Sequence, residues 1–300
     1  MKGKTVKKDK FSALFIVTFC ILAIYVISLM MPVIWGVFTS LKDQTEFRNN
    51  VLWLPKGWIW NWHWDNFIKV SGGFYERVTI VGVGRRKVYF GEMAVNTLLY
   101  AGGCALLQTM CPCIVAYLTA KFDFRFSKFV NILVLMIMVM PIVGSAPSEM
   151  QILKKLQFYD NMWGMWICKF SFLGLYYLIF YGAFKNISKD FSEAAYVDGA
   201  SEFRVMFSII MPMVVNVIGT VFLIKFIDFW NDYQTPLLYM PSSPVLARGI
   251  FRLSQDLQGE FATIPFRLAG CMLLALPVLI LFIIFKDKLM NNMSIGGIKE

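Results

Sequence analysis

The stretch FSALFIVTFCILAIYVISLMMPVIWGVFTSL, residues 11–41, contains no charged side chain. A helix needs about 20 mostly apolar residues to cross a bilayer core, so this run is long enough to span one. Five lysines precede it, Lys2, Lys4, Lys7, Lys8 and Lys10, and tail and run together imitate a signal peptide. The apolar run is too long for such a peptide, and Ser28-Leu-Met-Met-Pro-Val33 lacks a small-x-small cleavage pattern. We read it as a retained first span. Similar runs recur along the chain. The spacing predicts spans near 11–41, 93–120, 129–148, 161–184, 205–231 and 264–286, the fourth broken only by Lys169. The expected fold is therefore all-α and integral to the membrane, with six transmembrane helices. It divides into a basic tail (1–10), a membrane domain (11–286) and a carboxy-terminal tail (287–300).

Composition agrees. Hydrophobic residues make up 58% of the 300 and charged residues 16%, against roughly half and a quarter in soluble domains. The net charge of +10 raises nucleic acid as a partner. The cations lie in short tracts beside apolar runs, as expected where loops meet anionic lipid, so nucleic acid is discounted. All six cysteines (Cys20, Cys104, Cys111, Cys113, Cys168 and Cys271) fall in apolar runs and read as small buried hydrophobes. Cys111-Pro-Cys113 is a poor start for a metal site, because a structural zinc wants four ligands and the single histidine, His63, lies in another segment. No metal is expected.

With both termini in the cytoplasm, inner segments hold 14 Lys/Arg and outer ones 13. The inner segments total about half the outer length, so their positive density is about double. Both ends inside is favoured. That arrangement gives a long outer loop at 42–92 and a cytoplasmic loop at 185–204.

The loop reads Lys185-Asn-Ile-Ser-Lys-Asp-Phe-Ser-Glu-Ala-Ala-Tyr-Val-Asp-Gly-Ala-Ser-Glu-Phe-Arg204. Asp190 and Glu193 have capping-box spacing, Gly199 suits the left-handed residue that ends a helix, and Ser201 can cap the next one. A helix–turn–helix elbow results, with small Ala194 and Ala195 on its surface. On physical grounds alone it is either a docking element or an ordinary amphipathic connector.

Glu193-Ala194-Ala195, Gly199, Ile209, Met211 and Pro212 resemble, in their spacing, the EAA loop of ABC importer permeases, which has leucine at the position of Met211. The resemblance implies that the elbow, with Asp198, is the coupling helix that docks on an ATP-binding subunit. Trp230-Asn231-Asp232 with Pro236-Leu237 is similar to the outer end of the fifth span in maltose-type sugar permeases. Met140-Pro141, Pro147 and the following turn resemble their third span. Ser294-Ile-Gly296-Gly297-Ile-Lys299-Glu300 resembles the short tail that reaches between two ATPase subunits, which makes Gly296, Gly297 and Lys299 expected contacts. The resemblance implies a prokaryotic cell-membrane importer that moves a carbohydrate by alternating access. Its partners would be a second permease, two ATP-binding subunits that hold ATP and magnesium, an extracytoplasmic binding protein and membrane lipid. The chain departs from the family at Ser188, often proline. It departs again at Asn216, often a second proline, so the fifth span is expected to be kinked less.

Ionisable groups in a span default to a functional reading, which marks Lys169, Lys225 and Asp228 as pathway candidates beside Asn216, Trp230 and Asn231. The plainer reading is that the lysines snorkel and that Lys225 and Asp228, three apart, neutralise each other. A Lys169–Asp228 approach across the fourth and fifth spans is a further expectation. Trp58, Trp60, Trp62 and Trp64 alternate as in an extended segment, suited to interface anchoring or contact with a binding protein. Gly3-Lys4-Thr5 lacks the upstream glycine of a phosphate loop, so the chain is not expected to be an ATPase and needs no cofactor of its own. A non-sugar cargo remains the nearest rival. A secondary transporter would show repeats, and a membrane enzyme would need converging catalytic groups that one histidine does not supply.

Overall fold

The computed structural model describes residues 13–80, 84–122, 124–140, 145–255 and 262–293. Helix α1 (Ala13–Ser40) is almost entirely exposed from Phe15 to Ile34. An apolar helix left uncovered by its own chain has lipid as its solvent; it touches α15 (Ile264–Met293) along one side. Helix α4 (Phe90–Lys121) is the longest among the described residues, about 48 Å from end to end at 1.5 Å per residue. Among the described residues, three single helices are long and apolar enough to cross a membrane: Phe15–Ser40, Phe90–Lys121 and Ile264–Lys286.

The remaining apolar runs are not single rods. The third predicted span appears as α5 (Arg125–Val139), which at about 22 Å is shorter than a bilayer core; Pro141 of the Met140-Pro141 pair lies outside the described residues. A separate helix α6 (Ala146–Lys155) carries Pro147 in its first turn. The fourth run divides into α7 (Met162–Cys168) and α8 (Leu175–Lys185). The fifth is bent by 76° between Glu202–Met213, which ends in the one-turn α11 (Met211–Met213), and Val215–Trp230. The expectation of a weaker kink there is thus corrected. The bend lies at Val214, ahead of Asn216. Pro212 has no N–H to donate to the preceding turn, and Val205–Ile210 is a π-helix, a geometry already loosened. No second proline is needed.

The segment after α1 folds back on itself. Asp43 caps α2 (Gln44–Asn49), its side chain accepting from the Thr45 backbone N–H. Trp35 donates from Nε1 to the Val51 carbonyl at 2.8 Å and pins the tryptophan-rich loop to α1. That loop is not extended, because Ile59–Asn61 is a 3-10 turn; the alternation of tryptophans reflects a turn here, a correction to the sequence reading. Helix α3 (Asp65–Gly73) leads into an antiparallel hairpin, β1 (Tyr75–Ile80) and β2 (Gly84–Tyr89), with Tyr75 opposite Tyr89 and Arg77 opposite Lys87. Two shorter helices, α13 (Gln234–Tyr239) and α14 (Leu246–Gln255), follow the fifth run.

Two cores form, and α4 contributes to both. Its first half packs Met93, Tyr100, Ala101 and Cys104 against Val78 and Val88 of the hairpin, Trp230, Leu246 and Leu253. Its second half packs Cys113, Ala116 and Tyr117 against Val134, Phe180, Phe184 and Ile210. The first core is locked by a buried ion pair. Arg248 donates to Glu76 Oε1 from Nη2 at 2.7 Å and Nε at 3.0 Å, and from Nη1 to the carbonyls of Met240 at 2.8 Å and Pro236 at 3.2 Å. Breaking such a pair leaves an uncompensated charge, at a cost of about 3–5 kcal/mol. Glu76→Ala should therefore lower the unfolding temperature and membrane abundance of the protein, whereas Glu76→Gln, which keeps an acceptor, should lose less. Equal losses, read by thermal unfolding in detergent, would contradict this assignment.

Candidate functional site

The elbow occupies the end of α4 opposite the hairpin. Lys121, in the last turn of α4, donates from Nζ to the Ile187 carbonyl at 2.7 Å, which fastens the start of the elbow to α4. Helix α9 (Asp190–Val197) then begins. Its cap differs from the expected box. The Asp190 backbone N–H donates to Ser188 Oγ at 3.3 Å, and no Asp190–Glu193 box forms. Ser188, noted in the sequence only as a departure from proline, supplies the acceptor, which leaves the Glu193 side chain exposed.

The end of α9 follows the glycine signal. Gly199 has φ +78°. Its N–H donates to the Tyr196 carbonyl, and the Ala200 N–H donates to the Ala195 carbonyl, both at 3.0 Å. This pair of bonds is the Schellman closure, which requires a left-handed residue at Gly199. A Cβ built on Gly199 would touch nothing within 4 Å; backbone conformation, not space, demands glycine.

Across the turn, Tyr196 donates its hydroxyl to Glu202 Oε2 at 2.9 Å and ties α9 to α10 (Glu202–Arg204). Burial, then the bond to Glu202 and its charge, push the Tyr196 phenol up to about 12, so it stays a donor throughout the physiological range. Ala194 and Asp198 are exposed. Ala195 is buried at 7% exposure in the second core with Val205, Met206 and Phe184, which corrects the expectation of two surface alanines. Ile209 packs against that core, whereas Pro212 is exposed just before the bend.

Sequence reading missed the side chains that give the elbow its surface. Phe191, Val197 and Phe203 are 50%, 88% and 75% exposed. Apolar side chains this bare, grouped on one elbow, mark a contact surface. The available signal was their placement among polar neighbours in a short loop. Gly296, Gly297 and Lys299 lie outside the described residues.

The pathway candidates do not converge. Lys225 Nζ reaches Asp228 Oδ2 at 3.2 Å and lies 4.6 Å from the Tyr176 ring centroid. Among the described residues no ion pair joins Lys169 to Asp228; the same-helix neighbour is nearer. Lys169 enters the structure through its backbone, its carbonyl accepting from Gln108 Nε2 at 2.8 Å where α7 ends. Trp230 is buried and donates to the Leu274 carbonyl at 3.0 Å, a packing role. Asn231 is exposed and donates to the Ile227 carbonyl. Asn216 lines a cavity of about 410 Å³ between α12 (Val215–Trp230) and α15, with Gly219, Thr220, Phe226, Leu281 and Phe285. Among the described residues no cluster of His, Cys, Asp or Glu is arranged to hold a metal.

Residues 111–293 match the family described as "Binding-protein-dependent transport system inner membrane component". Among curated proteins, the chain is 23% identical to the probable ABC transporter permease protein YurM of Bacillus subtilis, covering 93% of this chain and 86% of that one. It is 23% identical to the sulfoquinovosyl glycerol transport system permease protein SmoH of Agrobacterium fabrum, covering 92% and 91%. It is 22% identical to the trehalose/maltose transport system permease protein MalG of Thermococcus litoralis, covering 90% and 91%. A chain from a bacterial ABC transporter that imports the acidic polysaccharide alginate shares the fold with a TM-score of 0.73 at 16% identity, over 95% of this chain and 99% of that one.

Replacing Gly199 should loosen the elbow locally. Valine in a left-handed conformation costs roughly 1–2 kcal/mol, so Gly199→Val should reduce hydrogen-exchange protection of the Ala200 amide about tenfold. Gly199→Asn, a residue that tolerates this conformation, should keep most of it. Unchanged protection in the valine variant would exclude the Schellman closure as the constraint.

Proposed function

This chain belongs to the family of binding-protein-dependent transport system inner membrane components, and from that membership we propose that it is a permease subunit of an ATP-driven carbohydrate importer. The observation that carries the reading is the elbow: a rigid, glycine-closed turn with bare Phe191, Val197 and Phe203 beside the bent fifth run. Such a turn suits a cleft on an ATP-binding subunit, with Glu193, Ala194, Asp198 and Gly199 at the contact and Ala195, Ile209 and Pro212 behind it. The tail residues Gly296, Gly297 and Lys299 would add a second contact. ATP and magnesium would be held by two such subunits, and this chain would perform no hydrolysis. Sugar as the cargo is supported by relatives named as trehalose/maltose and as melibiose/raffinose/stachyose permeases.

On this reading the chain crosses the cell membrane six times, with α1, α4, α5, the broken α7–α8 pair, the bent fifth run and α15 as the passages and both termini in the cytoplasm. A second, homologous permease covers the lipid-depth surfaces this chain leaves open, and an extracytoplasmic binding protein delivers the cargo to the opposite face. The pathway then runs between the two permeases, where Asn216 and its cavity offer a polar group at the bend. Closure of the ATPase pair would push the elbow, and the 76° bend would turn that push into a change of angle between α12 and α15. Access alternates as that angle changes.

Gly199→Val and Phe203→Asp, each expressed in the complete complex, should insert normally and lose about tenfold or more of ATPase recovery in pull-downs, with matching loss of sugar uptake. Glu193→Ala should lose less, because the carboxylate forms no cap. Wild-type recovery and uptake in both of the first two variants would remove the elbow as the docking site.

A further inference from the structure

The outer hairpin carries a surface that nothing in the transport reading explains. The strands pair so that Tyr75, Arg77 and Thr79 stand opposite Tyr89, Lys87 and Arg85 on one face, and Glu76, Val78 and Ile80 opposite Val88, Arg86 and Gly84 on the other. The second face is the inner one: Glu76, Val78 and Val88 are buried, and Arg248 holds Glu76. The first face is bare, with Arg77, Arg85, Lys87 and Tyr89 exposed. It presents three cations and no acid. Arg86 on the inner face has an acidic partner, Glu92, whereas among the described residues no carboxylate pairs with Arg77, Arg85 or Lys87.

Setting Arg77 directly opposite Lys87 works against the hairpin, because like charges in a cross-strand pair repel. The local accommodation is partial. Lys87 Nζ lies 4.3 Å and the Arg77 guanidinium 5.7 Å from the Tyr75 ring centroid, and Arg77 donates to the Tyr75 hydroxyl at 3.2 Å. That bond, with the two positive charges, holds the Tyr75 phenol below its ordinary range. The platform is also rigid, since its inner face is locked to α14 and α4, so little ordering is required when a ligand arrives.

We propose that this face, Tyr75, Arg77, Arg85, Lys87 and Tyr89, is a docking surface for an acidic patch on the extracytoplasmic substrate-binding protein. The proposal rests on the importer reading above. Three observations select a protein as the occupant. The face is the exposed side of a two-stranded sheet, whereas small solutes are held in concave pockets. Two tyrosines end a row of cations, and Tyr and Arg are the side chains favoured in protein interfaces. The hairpin precedes α4 directly, at the end opposite the elbow, which is the side from which a binding protein would deliver cargo. An opposite-charge surface would relieve the Arg77–Lys87 repulsion and steer the encounter.

The test uses the complete complex in nanodiscs with its own purified binding protein, and reads ATPase stimulation against binding-protein concentration at low and high salt. For Arg77→Glu/Lys87→Glu, the half-stimulating concentration should rise about tenfold at low salt, the maximal rate should hold, and the wild-type weakening with added salt should shrink. The milder Arg77→Gln/Lys87→Gln pair should shift partway, which separates a charge effect from misfolding. Half-stimulation unchanged in both variants overturns the proposal. So does a shift that appears only in nanodiscs with phosphatidylglycerol and vanishes in pure phosphatidylcholine, because the face would then read lipid headgroups. If the wild-type complex is not stimulated by the binding protein at all, the importer reading fails and this proposal falls with it.

Discussion

Lipid cannot solvate a free carbonyl, so every helix that breaks inside a bilayer needs a side chain from elsewhere to satisfy the backbone it exposes. In this protein α4 supplies four side chains that bond the backbone of other segments. Gln108 donates to the Lys169 carbonyl where α7 stops, Lys121 to Ile187 where the elbow starts, and Asn96 to Pro244 ahead of α14. Thr97 accepts from the Leu246 N–H, and Tyr100 donates to Asp232 just past the fifth run. At the far end Thr119 meets Tyr177, and its carbonyl accepts from Ser127 at the head of α5. A continuous helix with polar groups along its length serves neighbours that are broken.

The first core and the bend of the fifth run lie at different ends of the molecule. The Arg248–Glu76 pair ties α14 to the hairpin and to the carbonyls at α13, and an apolar core packs these elements on the first half of α4. The second half holds the elbow through Lys121 and through Ala195, which is buried beside Val205 and Met206. Between them, α7 approaches α4 so closely that a Cβ on Gly103 would lie 2.0 Å from Trp166. The departures from straight helix, the π-helix at Val205–Ile210 and the bend at Val214, adjoin the elbow and not the hairpin core. On the proposed function, force applied at Phe203 would reach the bend before it reached anything rigid.

The membrane class, the helical fold and the positive φ of Gly199 were legible in the sequence, because uncharged length and a glycine in a polar loop have few competing explanations. The capping of α9 was not. Asp190 and Glu193 had the right spacing, but the Asp190 amide donates to the Ser188 hydroxyl, two residues earlier. The break in the fourth run was hidden because Phe170, Phe172 and Leu173 are as apolar as a continuous helix would be. The hairpin left a signal that was not used, the alternation in Tyr75-Glu-Arg-Val-Thr-Ile80 and Arg85-Arg-Lys-Val-Tyr89 around glycine. Arg248 and Glu76 are 172 positions apart, and no local pattern announces such a pair. Trp230, a pathway candidate in the sequence, is buried and donates to one carbonyl of α15, a long-range contact that no local pattern announces.

On the proposed function, the elbow meets an ATP-binding subunit on the face carrying Ala194. That contact is tested most directly by site-specific cross-linking in the assembled complex. With the native cysteines replaced, Ala194→Cys should form a short-linker adduct with the ATPase subunit in high yield, and the yield should change when ATP is added. The same thiol placed at Thr79 on the outer hairpin should give none. An adduct absent at Ala194 in a complex that still imports its substrate would contradict the account.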